Sequence, residues 1–253
     1  MIHTERRDHV LVVTIDRPEA RNAVNGPVAE GIEAAIDELE ADDDLWVGVL
    51  TGAGPVFCAG ADLKEIAAGN ANTLGTGRGG FGGLVWRERA KPIIAAVNGA
   101  ALAGGTELVL ACDMVVAAES ASFGLPEAKR SLVAAAGGLF RLPRALGSAV
   151  AMEAIATGDP IPVARAHQLG MVNHIVADGE VLDAALALAE RVCAAAPLAV
   201  RESRAVARRA FEADERVLFD ASAEAFARIA ETEDYREGPR AFIEKRDPVW
   251  QGR

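Results

Sequence analysis

The chain has 253 residues, of which 51% are hydrophobic, 25% charged and 5% aromatic, a composition typical of a globular protein rather than a disordered one. A chain of this length can bury a substantial core, as one large domain or as one domain with an appendage. The net charge of -11 argues against sequence-independent nucleic-acid binding, because that needs a basic surface.

Short β-rich segments alternate with helical patterns over the first three quarters of the chain. Strands are predicted at residues 9–15, 46–50, 93–97, 114–117 and 172–176. Residues 27–40 begin with proline and then carry apolar side chains at the helical period. This alternation predicts an α/β core with parallel strands covered by helices.

One glycine-rich segment interrupts the alternation. Residues 69–83 read GNANTLGTGRGGFGG, which is too rich in glycine for a helix or a packed strand, so we expect a mobile loop. Its GTGRGG stretch matches the dinucleotide-binding fingerprint by letter, but no apolar strand leads into it. The sequence therefore favours a loop over a nucleotide site.

The pattern changes near residue 197. Amphipathic helices are predicted over residues 199–210 and 215–231, followed by a short tail and no further strand. We therefore predict a core domain at residues 1–195 and a helical region at residues 196–253.

The cysteines and histidines indicate neither a disulfide framework nor a metal site. The three cysteines are odd in number and lack CxxC spacing, which favours free thiols in a reducing, cytoplasmic setting. The four histidines have no metal-ligand spacing, so we expect no metal. No targeting segment is expected at the start, and no apolar run reaches the ~18 residues that a membrane span needs.

Two glutamates stand out, because each is flanked by small residues that leave backbone N–H groups accessible. Glu107 lies in NGAALAGGTELVLACD and Glu127 in ASFGLPEAKR. A further turn, FCAGADLKE, precedes both. Two carboxylates beside bare peptide turns suggest proton transfer next to a developing oxyanion. A simpler interpretation is that the glutamates are exposed and the glycines only permit tight turns.

Four blocks at consistent spacing resemble the enoyl-CoA hydratase/isomerase superfamily, the crotonases. They are residues 51–65 (TGAGPVFCAGADLKE), 91–127, 156–176 and 241–252 (AFIEKRDPVWQG). The resemblance implies a ββα spiral core, a C-terminal helical trimerisation region, and homotrimers or homohexamers. It also implies an acyl-CoA thioester substrate with no separate cofactor, since coenzyme A is part of the substrate.

Within the family the chain looks most like an enoyl-CoA hydratase, so the resemblance implies reversible syn hydration of trans-2-enoyl-CoA to 3-hydroxyacyl-CoA and a role in fatty-acid β-oxidation. By motif position, the oxyanion donors are the backbone N–H groups of Ala61 and Gly104. Glu107 becomes the base toward water and Glu127 the proton donor to the α-carbon. Sequence spacing does not distinguish these two roles.

The resemblance also implies contacts to coenzyme A. They are Arg21 and Lys64 near the adenine and pyrophosphate, with Ala59, Ala61 and Leu63 lining the adenine. Phe242 and Lys245 match positions that reach the coenzyme from a neighbouring subunit. This chain has Glu19 and Arg21 in a turn where some family members carry a lysine slightly earlier. This departure implies that the contacts to the coenzyme A phosphates are rearranged.

A second departure concerns the acyl pocket. Residues 133–138 read VAAAGG where many hydratases have PGAGG, so Ala135 replaces a glycine whose N–H faces the catalytic water. Relatives acting on carnitinyl-CoA also vary this segment, which makes such a specialised hydro-lyase a competing interpretation. An enoyl-CoA isomerase, which would use mainly Glu127, and an idle acyl-CoA binding protein are two further candidates.

Overall fold

The computed structural model describes residues 1–253. The strands are β1 (Ile2–Arg7), β2 (Val10–Ile15), β3 (Val47–Gly52), β4 (Val56–Cys58), β5 (Gly75–Thr76), β6 (Gly80–Phe81), β7 (Ile93–Val97), β8 (Ala100–Leu102), β9 (Met114–Ala118), β10 (Ser122–Gly124), β11 (Ile161–Pro162) and β12 (His174–Val176). The helices are α1 (Gly26–Ala41), α2 (Leu63–Ala67), α3 (Gly104–Ala111), α4 (Gly138–Leu146), α5 (Ser148–Thr157), α6 (Val163–Gln168), α7 (Val181–Cys193), α8 (Pro197–Ala207), α9 (Glu215–Ala230) and α10 (Glu233–Glu244).

The main sheet has six strands in the order β1-β2-β3-β7-β9-β12. All neighbours are parallel except β1, which pairs antiparallel with β2 at one edge. β3 and β7 are buried along their whole length, which explains their nearly continuous apolar sequences. The predicted α/β core is confirmed, and the five predicted strands match β2, β3, β7, β9 and β12. β1 was missed because its residues are mostly polar and exposed.

A second, smaller sheet has the order β11-β10-β8-β4, and its strands are only two or three residues long. Strands this short do not display a readable alternation, so the sequence did not predict them. β8 is parallel to both β4 and β10. The segments that leave the carboxyl ends of these three strands therefore start from the same edge of the sheet.

Helices cover the main sheet as expected. Asn25 caps α1 by accepting a hydrogen bond from Val28 N–H (3.2 Å), and the buried face of α1 is the predicted apolar stripe. α7 packs against β3, β7 and β9. These contacts join α1, α7 and the sheet in one hydrophobic core.

The glycine-rich segment is more regular than predicted. It contains a 3-10 turn at Ala71–Leu74 and the hairpin of β5 and β6. Arg78 at the hairpin tip forms ion pairs with Glu33 (3.1 Å) and Asp37 (2.6 Å) on α1. The expectation of a loop without strand or helix was wrong. The ion-pair partners of the hairpin tip lie 45 and 41 residues away in sequence, so no local pattern indicated this structure.

The C-terminal region is helical. The two predicted helices correspond to α8 and α9, whereas α10 was missed because Pro239 lies inside it. The division at residue 195 falls between α7 and α8 and stays a prediction. Several large apolar side chains of this region are exposed: Phe211, Phe219, Phe226, Phe242 and Ile243. The expected trimer or hexamer also stays a prediction. None of the helices combines the length and apolar character needed to cross a membrane.

Candidate active site

A cavity of about 1200 Å³ opens at the edge where β4, β8 and β10 end. Its lining includes every residue that the sequence placed at the site within one subunit: Arg21, Ala59, Ala61, Leu63, Lys64, Gly104, Glu107, Glu127 and Ala135. Phe242 and Lys245 are not part of this lining. Phe242 is on α10, where its side chain is 85% exposed, and Lys245 follows the helix. Their expected role toward a neighbouring subunit stays a prediction.

The Gly60–Ala61 turn presents a free backbone donor to the cavity. Val24 hydrogen-bonds to the residues on both sides of Ala61. Its N–H donates to Gly60 O (2.7 Å), and its carbonyl accepts from Asp62 N–H (2.9 Å). Ala61 N–H donates to no protein acceptor. Gly60 has a φ of +92°, which a residue with a side chain rarely adopts.

Gly104 supplies a second donor from the start of α3. As the first helical residue it has no intrahelical acceptor for its N–H, and the positive end of the helix dipole lies there. The two turns are in contact: a Cβ added to Gly60 would lie 2.8 Å from Gly104 N. A Cβ added to Gly104 would overlap the ring of Phe81. The Gly60–Ala61 turn and the start of α3 therefore lie side by side, and Ala61 and Gly104 both line the cavity, a placement suited to an oxyanion site.

Glu107 lies in the first turn of α3 and is only 3% exposed. Its Oε1 accepts a hydrogen bond from Gly138 N–H (2.9 Å) at the start of α4. Burial raises the pKa of Glu107 from 4.5 to about 7, and the nearby charge of Glu127 adds to the increase. Hydrogen bonds from the N–H groups of Gly138 and Ala136 lower the pKa of Glu107 and so limit the increase. Glu107 can therefore exchange a proton near neutral pH.

Glu127 lies in the 3-10 turn at Pro126–Arg130, shortly after β10 ends. Its Oε2 is buried and has no hydrogen-bond partner in the protein. Burial raises the pKa of Glu127, although its own backbone N–H and the charge of Arg130 act in the opposite direction. An unpaired buried carboxylate oxygen in a cavity is available to a bound molecule.

Ala135 lines the cavity, but its N–H already donates to Val133 O (2.8 Å). The N–H groups of Ala136 and Gly138 instead face Glu107. The expected part of Ala135 in holding a water molecule stays a prediction.

The structure adds lining residues that sequence reasoning missed, among them Arg17, Asp62, Phe81, Trp86 and Arg130. Phe81 and Trp86 fell in or beside the segment interpreted as a loop. Arg17 and Asp62 are 45 residues apart, yet they form an ion pair (2.7 Å). Asp62 directly precedes α2, where it caps the helix by accepting a hydrogen bond from Lys64 N–H, but no helix was predicted there.

The charged lining suits a substrate that carries phosphates. Arg21, Lys64 and Arg130 provide local cations in a chain with a strong negative net charge, whereas Arg17 is already paired with Asp62. No group of three or more His, Cys, Asp or Glu side chains is arranged to hold a metal ion.

Comparison with known proteins defines the class of this fold and site. Residues 5–253 match the enoyl-CoA hydratase/isomerase family. The crystal structure of enoyl-CoA hydratase from Mycobacterium tuberculosis H37Rv has a TM-score of 0.95 at 46% identity, covering 100% of this chain and 99% of that one. The structure of a carnitinyl-CoA dehydratase from Mycobacterium avium 104 has a TM-score of 0.77 at 49% identity, covering 100% and 99%. Carnitinyl-CoA dehydratase of Salmonella enteritidis PT4 is 40% identical over 258 residues, covering 100% of this chain and 98% of the relative.

The chain therefore belongs to the enoyl-CoA hydratase/isomerase family, and the expected crotonase fold is confirmed. The family acts on acyl-CoA thioesters. The hydratases and dehydratases among the relatives support a hydro-lyase activity.

Proposed function

We propose that this protein is an enoyl-CoA hydratase, which adds water reversibly across the double bond of a trans-2-enoyl-CoA to form a 3-hydroxyacyl-CoA. The observation that carries the proposal is the shared cavity. The buried Glu107 and the half-buried Glu127, whose Oε2 is itself buried, line it together with the backbone donors Ala61 and Gly104. The cytoplasmic location, expected from the cysteines, and the role in fatty-acid β-oxidation, expected from the family resemblance, both stay predictions.

Each residue has a distinct part in the proposed reaction. Ala61 N–H and Gly104 N–H donate to the thioester oxygen, which carries negative charge in the enolate. Glu107, held by Gly138 N–H, accepts a proton from water as the water oxygen bonds to the β-carbon. Protonated Glu127 delivers its proton to the α-carbon as the enolate collapses, and the proton that Glu107 took from water then replaces it, so the net reaction adds one water molecule. Reversal of the same steps eliminates water from the hydroxyacyl thioester.

The proposed base gives the reaction a defined pH dependence. Only ionised Glu107 can accept a proton, and its pKa in the folded protein is about 7. We expect kcat/KM for crotonyl-CoA hydration to fall about tenfold per pH unit below that pKa. Initial rates between pH 5.5 and 8.5 test this, with circular dichroism at each pH as the control for folding. A kcat/KM that stays constant from pH 5.5 to 8 would contradict Glu107 as the base.

Dehydration of carnitinyl-CoA is the second candidate. Relatives at 40% and 49% identity carry that name. Two aromatic residues, Phe81 and Trp86, also line the cavity, and Trp86 is 67% exposed. An aromatic face can attract a quaternary ammonium group such as that of a carnitinyl chain.

A panel of thioesters tests the proposed function. We expect the absorbance of the conjugated crotonyl-CoA thioester to decay on addition of the protein, with longer enoyl-CoA thioesters and crotonobetainyl-CoA measured in parallel. A kcat/KM much larger for crotonobetainyl-CoA would favour the second candidate. Conjugation that appears from a 3-enoyl-CoA would indicate an isomerase. Binding of all thioesters without any absorbance change would indicate an idle binder and refute the hydratase.

A further inference from the structure

The Ala61 donor depends on a segment that lies far from it in sequence. Val24 forms an isolated parallel bridge with Ala61 and hydrogen bonds to the residues on either side of it. In a parallel bridge of this kind, the residue between the two hydrogen-bonded neighbours, here Ala61, directs its own N–H away from the partner strand. The position of Val24 therefore sets the direction of Ala61 N–H.

Val24 ends a short segment, residues 17–24, that is itself held rigidly. Asn22 is fully buried, and its Nδ2 donates to Ala53 O (2.9 Å) and Val56 O (2.7 Å). Its Oδ1 accepts from Arg17 N–H (2.9 Å). Asn22 thus anchors the segment to the turn between β3 and β4.

An ion pair joins this segment to the far side of the Ala61 turn. Arg17 Nη1 donates to Asp62 Oδ2 (2.7 Å) and to Ala23 O (3.0 Å). The other carboxylate oxygen, Asp62 Oδ1, accepts from Lys64 N–H (2.9 Å) and caps α2. The side chains are 22% and 9% exposed, so solvent screens the pair only partly. Arg17 also holds the pKa of Asp62 below its usual range, so the carboxylate stays ionised at neutral pH.

We propose that Arg17 and Asp62 are positioning residues for the oxyanion site, which hold Ala61 N–H at the angle that polarises the thioester carbonyl. This inference rests on the proposed function. Both side chains line the cavity, so the competing interpretation is that they bind the coenzyme. A positioning role predicts a loss in kcat, whereas coenzyme binding predicts a rise in KM.

The chain offers a closely matched control in Asp42. Its Oδ1 accepts from Asp44 N–H (2.9 Å) and its Oδ2 from Arg6 Nη1 (2.6 Å), the same two kinds of contact that Asp62 makes. Asp42 lies at the end of α1 and does not line the cavity. An Asp42→Asn change therefore removes a carboxylate charge with the same kinds of partner, at a more exposed position, without touching the Ala61 turn.

We expect Asp62→Asn to lower kcat for crotonyl-CoA hydration roughly tenfold to hundredfold, because a small misplacement of a catalytic group costs up to about a hundredfold. KM should change less than about threefold, and Asp42→Asn should keep both constants within about twofold of the wild type. Arg17→Lys should retain more activity than Arg17→Met, because an ammonium group can still pair with Asp62. If Asp62→Asn fails to fold by circular dichroism, the two Arg17 variants provide the comparison. A rise in KM with unchanged kcat would overturn the inference.

A spectroscopic measurement separates this inference from the proposed function. Crotonyl-CoA labelled with ¹³C at the carbonyl is bound to the Glu107→Gln variant, and its C=O stretching band is recorded by infrared difference spectroscopy. We expect the band to shift to lower frequency on binding, and Asp62→Asn in the same background to remove at least half of that shift. If the wild type does not hydrate crotonyl-CoA but the shift still depends on Asp62, only the proposed function fails. A shift unaffected by Asp62→Asn, or no shift at all, overturns the positioning role.

Discussion

Glu107→Gln and Glu127→Gln variants will each lose between about a hundredfold and ten-thousandfold of kcat for crotonyl-CoA hydration, the range typical of a lost general acid or base. Glutamine preserves the shape of each side chain. At position 107 its oxygen can still accept from Gly138 N–H, and at position 127 no protein partner is lost at Oε2. The loss would therefore report on proton transfer. Rates followed by thioester absorbance measure it, and near-normal turnover by either variant would refute that glutamate's role.

The free energy of unfolding at pH 8 will increase for Glu107→Gln, although the variant loses activity. The unfolded pKa of 4.5 lies below the folded value of about 7, so ionised Glu107 destabilises the fold progressively as pH rises through this window. The difference corresponds to at most about 3 kcal/mol at pH 8, which glutamine removes. Urea unfolding should show the variant to be more stable than the wild type at pH 8 and little changed at pH 4. Glu153→Gln, an exposed position on α5, is the control for both activity and stability.

A Gly60→Ala variant will lose on the order of a hundredfold of kcat, because one added methyl group disturbs both oxyanion donors. The new Cβ would lie 2.7 Å from Ala103 Cβ and 2.8 Å from Gly104 N, so the two turns must move apart. The thioester oxygen could then not receive both hydrogen bonds. Steady-state kinetics with crotonyl-CoA measure the loss.

Gly179→Ala separates this steric effect from backbone strain. Gly179 has a φ of +91°, nearly the same as the +92° of Gly60, but its added Cβ would meet no atom within 4 Å. Both variants incur a conformational cost on the order of 1–3 kcal/mol, visible as a lower Tm. Only Gly60→Ala should lose activity. Equal kcat values for the two variants would show that Gly60 does not position the donors.

The residues of the candidate site could largely be predicted from the chain. Ala61, Gly104, Glu107 and Glu127 each lie in a short motif that resembles the family, and all four line the cavity. The buried strands of the main sheet were also predicted, because their apolar runs persist over five or six residues. Gly138 N–H, the donor that orients Glu107, was not predicted, because it lies 31 residues away in sequence.

Local sequence therefore predicted the proposed chemistry and determined the α/β class and the main strands, because motifs and hydrophobic periods depend on near neighbours in the chain. Only the folded chain decided how these parts meet. The parallel pairing of β4, β8 and β10 places three turns that are distant in sequence at one edge of the sheet. The Arg17–Asp62 ion pair joins residues that are 45 positions apart. Such contacts follow from packing of the whole domain, and strands of three residues leave no periodic signal that reveals them.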